Sequence, residues 1–75
     1  MYKIKEENVE YLIRMKLTAY SQLLGITSSA LSLLFNCKST TKLSTAKAII
    51  SVAYNIPVTD ERMDELVEKH FEKIN

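Results

Sequence analysis

The stretch Leu17-Thr-Ala-Tyr-Ser-Gln-Leu-Leu-Gly25-Ile-Thr-Ser-Ser-Ala-Leu-Ser-Leu-Leu-Phe35 decides the fold. Gly25 is the only glycine in the chain. Glycine enters the left-handed backbone region without the clash other residues suffer, so it ends a short helix from Ala19 to Leu24 that Thr18 can cap. Beyond Ile26, the hydroxyls of Thr27, Ser28 and Ser29 can each accept a free backbone N–H at the start of another helix, running to about Asn36. Ser21 supplies a small side chain four residues before the glycine, where two helices must cross. Leu24, Ile26, Leu31 and Leu34 then clamp the second helix at a fixed angle, and Leu31 and Leu34 are assigned to the core.

The same logic extends outward. Val9, Leu12 and Ile13 repeat at i, i+3, i+4 and mark the buried face of a helix from Glu6 to Lys16. Glu6, Glu7 and Glu10 sit near its start and Arg14 and Lys16 near its end, the order that complements a helix dipole. Lys38-Ser39-Thr40-Thr41-Lys42 has no apolar period and reads as a loop. Ser44 is the expected cap of a fourth helix with Ala46, Ile49, Ile50 and Ala53 on its inner face, stopping before Asn55-Ile56-Pro57 because proline disfavours helical geometry in the residue before it. Thr59 or Asp60 starts a fifth helix, an amphipathic segment over 59–74, with Met63, Leu66, Val67, His70, Phe71 and Ile74 at helical spacing. The expectation is an all-α, five-helix single domain over 1–75, with its core in 6–56.

Composition sets the bounds. The chain has 75 residues, 47% hydrophobic and 25% charged, which suits one small globular domain with a thin margin of stability. A single cysteine, Cys37, excludes an internal disulfide and cysteine-based zinc sites, and fits a reducing, cytoplasmic setting. Met1 to Glu7 alternates apolar and charged residues, which matches neither a signal peptide nor a membrane span. Net charge is +1, unevenly distributed. Residues 1–55 carry Lys3, Lys5, Arg14, Lys16, Lys38, Lys42 and Lys47 against Glu6, Glu7 and Glu10, a net of +4. Residues 56–75 carry Arg62, Lys69 and Lys73 against Asp60, Glu61, Asp64, Glu65, Glu68 and Glu72, a net of −3.

On the Leu17–Phe35 stretch, with Ser21, Gly25 and the surrounding leucines as its marks, the chain resembles the helix-turn-helix of the lambda Cro and phage-repressor family. The resemblance covers roughly residues 6 to 56 and implies a lambda repressor-like domain whose third helix, about Ser28 to Asn36, enters the DNA major groove. Residue by residue, it implies that Thr27, Ser28, Ser29, Ser32 and Leu33 face the groove, with Asn36, Lys38 and Lys42 near phosphates. Those groove positions offer hydroxyls and a leucine, and no arginine or lysine for guanine, so base readout would be low or indirect. Cys37 stands where the family often has glycine, and the stretch from Arg14 to Gly25 is shorter than usual for it.

Two functions follow as expectations. One is a small phage-type transcriptional regulator, cytoplasmic in a bacterial host cell, that occupies operator DNA in a genetic switch. The other is a repressor modulator or antirepressor that binds the DNA-binding domain of a partner repressor protein through Tyr20, Ser29, Leu33 and Phe35, since aromatic anchors and uncharged hydroxyls suit protein interfaces. Phe71 and Ile74 at the far end of the last helix are candidates for a homodimer seam. The acidic outer face of that helix would repel DNA and attract a basic protein. His70 lacks companion ligands and reads as bordering the core or an interface, and Cys37 reads as an inert small hydrophobe, not a redox sensor. No nucleophile lies beside a base and no glycine-rich phosphate loop is present, so neither catalysis, cofactor, metal nor small-molecule substrate is expected.

Overall fold

A computed structural model describes residues 1–12 and 17–74 of the chain. In order these form β1 (Tyr2–Ile4), a 3-10 turn (Glu6–Asn8), α1 (Val9–Leu12), α2 (Leu17–Leu24), α3 (Ser28–Phe35), α4 (Leu43–Tyr54), α5 (Met63–His70) and β2 (Phe71–Lys73). The protein is mostly helical, with a two-stranded sheet joining its ends. The expected first helix begins as the 3-10 turn and α1, and its continuation through Ile13, Arg14 and Lys16 lies outside the described residues.

The α2–α3 pair forms where the sequence places its turn, but the expected start at Ala19 with a Thr18 cap is corrected, since α2 already includes Leu17 and Thr18. Gly25 closes α2 at φ 67°, its N–H donating to the Ser21 carbonyl at 2.9 Å. Thr27, extended, caps α3 by accepting the Ala30 N–H on its hydroxyl at 3.2 Å. α2 packs on both α3 and α4, and α3 buries Leu31, Leu34 and Phe35. At the end of α3 the Cys37 N–H donates to the Leu34 carbonyl at 3.0 Å and the Lys38 N–H to the Leu33 carbonyl at 2.9 Å. This double closure requires a left-handed residue at position 37. Cys37 adopts φ 60° there without being glycine, a conformation that costs a side-chain-bearing residue about 1–2 kcal/mol. α4 starts two residues earlier than a Ser44 cap implies: Lys42 holds the capping position and makes no side-chain cap bond. Ala46, Ile49, Ile50 and Ala53 are buried along it as expected. It ends on Asn55 at φ 55°, with the Ile56 N–H returning to the Ser51 carbonyl at 3.1 Å.

The ends of the chain depart from an all-helical reading. Tyr2–Ile4 pairs antiparallel with Phe71–Lys73, in the register Tyr2 with Lys73, Lys3 with Glu72 and Ile4 with Phe71. On the other edge of β1, Tyr2 and Thr41 exchange backbone bonds at 2.8 and 2.7 Å, so the loop after α3 is tied to the sheet. The Met1 ammonium donates to the Ile74 carbonyl at 3.2 Å, and the Ile74 N–H donates to Met1 at 2.8 Å. The expected helix over 59–74 is therefore only Met63–His70, preceded by a turn in which the Asp60 carboxylate accepts the Arg62 N–H at 2.8 Å. Met63, Val67 and His70 lie on its buried face as the spacing requires. Past His70 the chain extends, because β1 offers a row of backbone partners and because Phe71, opposite Ile4, fills the core as well from a strand as from a helix. Lys5 secures this junction: its N–H donates to the His70 carbonyl and its Nζ to the Glu68 carbonyl, both at 2.9 Å. A cation on the last carbonyls of α5 is the favourable polarity for a helix C-terminus.

The core gathers Ile4, Leu12, Tyr20, Leu31, Ile49, Ile50, Met63, Val67 and Phe71 around α4. Tyr20 is fully buried, its ring tilted against Phe35 at a centroid distance of 5.4 Å and its hydroxyl donating to the Leu12 carbonyl. His70 is also buried, with Nε2 2.5 Å from the Tyr54 hydroxyl and the two rings 5.6 Å apart. Burial pushes the His70 imidazole below its ordinary pKa, and the positive charges of Lys69 and Lys5 push it the same way.

Candidate functional site

α3 divides cleanly into two faces. Leu31, Leu34 and Phe35 are buried, whereas Thr27, Ser28, Ser29, Leu33 and Asn36 are exposed and Ser32 is half-buried. The structure thus brings the expected groove-facing residues together on one outward surface, fixed by the Thr27 cap at one end and the Cys37 turn at the other. Leu33 is 50% exposed. Asn36 stands one turn beyond Ser32, its amide 3.4 Å from the Ser32 hydroxyl, so the polar end of the helix is partly organised before anything docks. Lys38 and Lys42 are exposed on the following loop, and neither forms an ion pair among the described residues.

Tyr20 does not belong to this surface. It is 0% exposed, and its hydroxyl is turned inward on the Leu12 carbonyl, which satisfies the polar tip of a tyrosine placed in a core. Phe35, at 4% exposed, is likewise core. The candidate dimer seam is also corrected: Phe71 is 2% exposed within its own domain and Ile74 is half-buried beside Met1. Both are used by the terminal sheet.

Two surface features were not read from the sequence. Leu23 on α2 is 64% exposed, the most exposed large apolar side chain among the described residues. It overhangs an open groove of about 510 Å³ lined also by Ser51, Val52, Asn55, Ile56 and Pro57. Its i, i+3, i+4 relations within α2 give no warning, since Leu23 and Leu24 are neighbours and only one can face inward. Lys3 was assigned no role because the strand that carries it was not read. The pairing of β1 with Thr41 brings it beside the loop after α3.

Electrostatically α2 and α3 are blank, and charge lies on the other elements and the loop after α3. No charged residue occurs from Leu17 through Cys37. The acidic side chains Glu61, Asp64, Glu65, Glu68 and Glu72 are exposed along α5, its preceding turn and β2. Lys47 of α4 reaches one of them, Asp64, at 3.8 Å, with the aspartate 92% exposed. Such a pair contributes little in water. Arg62 and Asp60 pair at 3.1 Å, and the guanidinium holds the Asp60 carboxyl below the usual carboxylate range. Among the described residues no three His, Cys, Asp or Glu side chains converge as metal ligands, and no helix is long and apolar enough to cross a membrane.

No protein-family model, no curated protein and no solved structure matches this chain.

Proposed function

We propose that the protein is a small phage-type helix-turn-helix regulator, acting in a bacterial genetic switch by occupying operator DNA with the outward face of α3. The observation that carries this reading is the disposition of α3. Thr27, Ser28, Ser29, Leu33 and Asn36 are exposed and Ser32 is half-buried along one short helix and its two caps, with the exposed cations Lys38 and Lys42 on the loop beyond its end. A helix that lays hydroxyls and one apolar side chain against base edges, with lysines on the flanking phosphates, positions itself mainly by the backbone and reads sequence weakly. Affinity from so few phosphate contacts is low for one copy, and two copies on a symmetric site would raise it.

The absence of charge from Leu17 through Cys37, together with the exposed Leu33, favours a second reading in which the α3 face covers the DNA-binding domain of a partner repressor. Covering a half-exposed leucine contributes about 1 kcal/mol, without any phosphate. One substitution tests what the two readings share. Leu33→Asp lies on an exposed position and should cost about 0.5 kcal/mol of stability or less. It should abolish retardation of operator DNA, or of a repressor–operator complex, in a gel-shift titration. If all binding survives Leu33→Asp, α3 is not the working surface in either reading.

A further inference from the structure

Beyond α3, an open cleft of about 260 Å³ is lined by Lys3 from β1, Cys37, Lys38, Ser39 and Thr40 from the loop after α3, and Ile74 from the end of the chain. Its assembly is not incidental to the fold. The Tyr2–Thr41 bridge holds β1 against the loop, and the Met1–Ile74 bonds hold the last residues against β1. The left-handed turn at Cys37 re-aims the chain so that Lys38 and the two hydroxyl residues follow immediately on the groove-facing helix. The cleft has two kinds of wall. Cys37, Ile74 and the lysine stems are apolar, while two ammonium groups and two hydroxyls supply charge-assisted and neutral donors. Neither Lys38 nor Lys3 makes an ion pair among the described residues, although Lys3 pairs in register with the exposed Glu72 across the strand ladder.

We propose that this cleft holds a segment of the DNA sugar–phosphate backbone, with Lys3 and Lys38 on phosphates, Ser39 and Thr40 donating to phosphate oxygens, and the sugar carbons against Cys37 and Ile74. The proposal rests on the operator-binding reading and gives it a clamp that the resemblance does not imply: the N-terminal strand becomes part of the DNA-binding surface. Its mixed walls fit a nucleic-acid backbone better than a free anion, because a bare phosphate would leave Cys37 and Ile74 uncovered. Among the described residues no acidic side chain lines the cleft; the carboxylate nearest to it in the strand register is Glu72, opposite Lys3. Lys3 and Lys38 together supply two phosphate contacts to a protein whose α3 supplies none through charge.

The test uses the full chain labelled with nitrogen-15, titrated with a duplex of the neighbouring intergenic DNA and separately with inorganic phosphate, beside a Lys3→Gln/Lys38→Gln variant. The expected result is amide shifts on Lys3, Lys38, Ser39 and Thr40, as well as on α3, with duplex and not with inorganic phosphate. The variant should weaken binding equally for all sequences and lower the slope of log affinity against log salt by about two, one for each lost phosphate contact. Shifts confined to α3, with an unchanged salt slope in the variant, would overturn the cleft and the Lys38 phosphate contact and leave α3 standing as the operator-binding face. No duplex binding by the unsubstituted protein would overturn both. Equal shifts at the cleft from inorganic phosphate and duplex would overturn its assignment to the sugar–phosphate backbone.

Discussion

Replacing Gly25 with alanine isolates the backbone requirement on which the α2–α3 turn depends. The residue holds φ 67°, and a Cβ built there meets nothing within 4 Å. The penalty is therefore conformational and not steric. A left-handed conformation costs a side-chain-bearing residue about 1–2 kcal/mol. Against this, alanine has fewer unfolded conformations to lose than glycine, which returns about 0.4–1 kcal/mol. The net is a loss of about 1 kcal/mol, which for a domain of this size lowers the melting temperature by about 4–8 °C. Asparagine tolerates the left-handed region better than alanine, as it does at Asn55 in this same chain, so Gly25→Asn should recover part of that loss. Thermal unfolding followed by far-ultraviolet circular dichroism on the three proteins measures both differences. Should Gly25→Ala melt with the wild type, or should asparagine prove no better than alanine, the turn does not depend on left-handed geometry at position 25.

Cys37 supplies the converse experiment. Cys37→Gly relieves left-handed strain at φ 60° but adds unfolded-state entropy and removes a thiol packed on the core, so the melting temperature should hold or rise by a few degrees. A fall larger than that from Gly25→Ala would mean the thiol's packing outweighs the backbone. His70 predicts a pH dependence. Its pKa is lowered in the folded protein, so the unfolded chain binds its proton first. The stability tied to the neutral imidazole is complete above the ordinary histidine value of about 6.5 and is lost as pH falls from there toward the folded value. Urea unfolding at pH 7.5 and at successive steps below 6.5 should show this decline, and His70→Gln should flatten it. An equal decline in the substituted protein would assign the effect to other groups.

How far the fold was legible depended on the range of the interactions involved. The α2–turn–α3 hairpin is written in local chemistry: Gly25 must be left-handed, Thr27 can cap, and Leu31 and Leu34 share a helical face. Each of these is settled within four residues, and each is found in place. Inner positions of α4 follow from period alone. The terminal sheet did not follow, because its strands are three residues each and pair across nearly the whole chain. The Tyr2-Lys3-Ile4 alternation is visible, but its partner at Phe71–Lys73 fits helical spacing equally well. Only the backbone edge offered by β1 decides between helix and strand there.

The same limit governed the site. The exposed face of α3 was readable because the buried face was readable and the remainder must point outward. Tyr20 was misplaced because an aromatic residue with a hydroxyl is compatible with both surface and core, and the carbonyl that receives its hydroxyl, on Leu12, lies in another element. Lys3 escaped notice for the reason β1 did. Leu23 escaped because adjacent leucines in a helix compete for one inward direction, which is settled only by the position of α4.

The central claim, that the outward face of α3 occupies operator DNA, is tested most directly by a gel-shift titration against the neighbouring intergenic DNA. The titration is run at two salt concentrations, with and without the regulator encoded beside this protein. The account predicts retardation by this protein alone, weaker at the higher salt and absent in Leu33→Asp. No retardation by the protein alone, with release of the neighbouring regulator from its DNA, would contradict the operator reading and establish a protein as the partner of this surface.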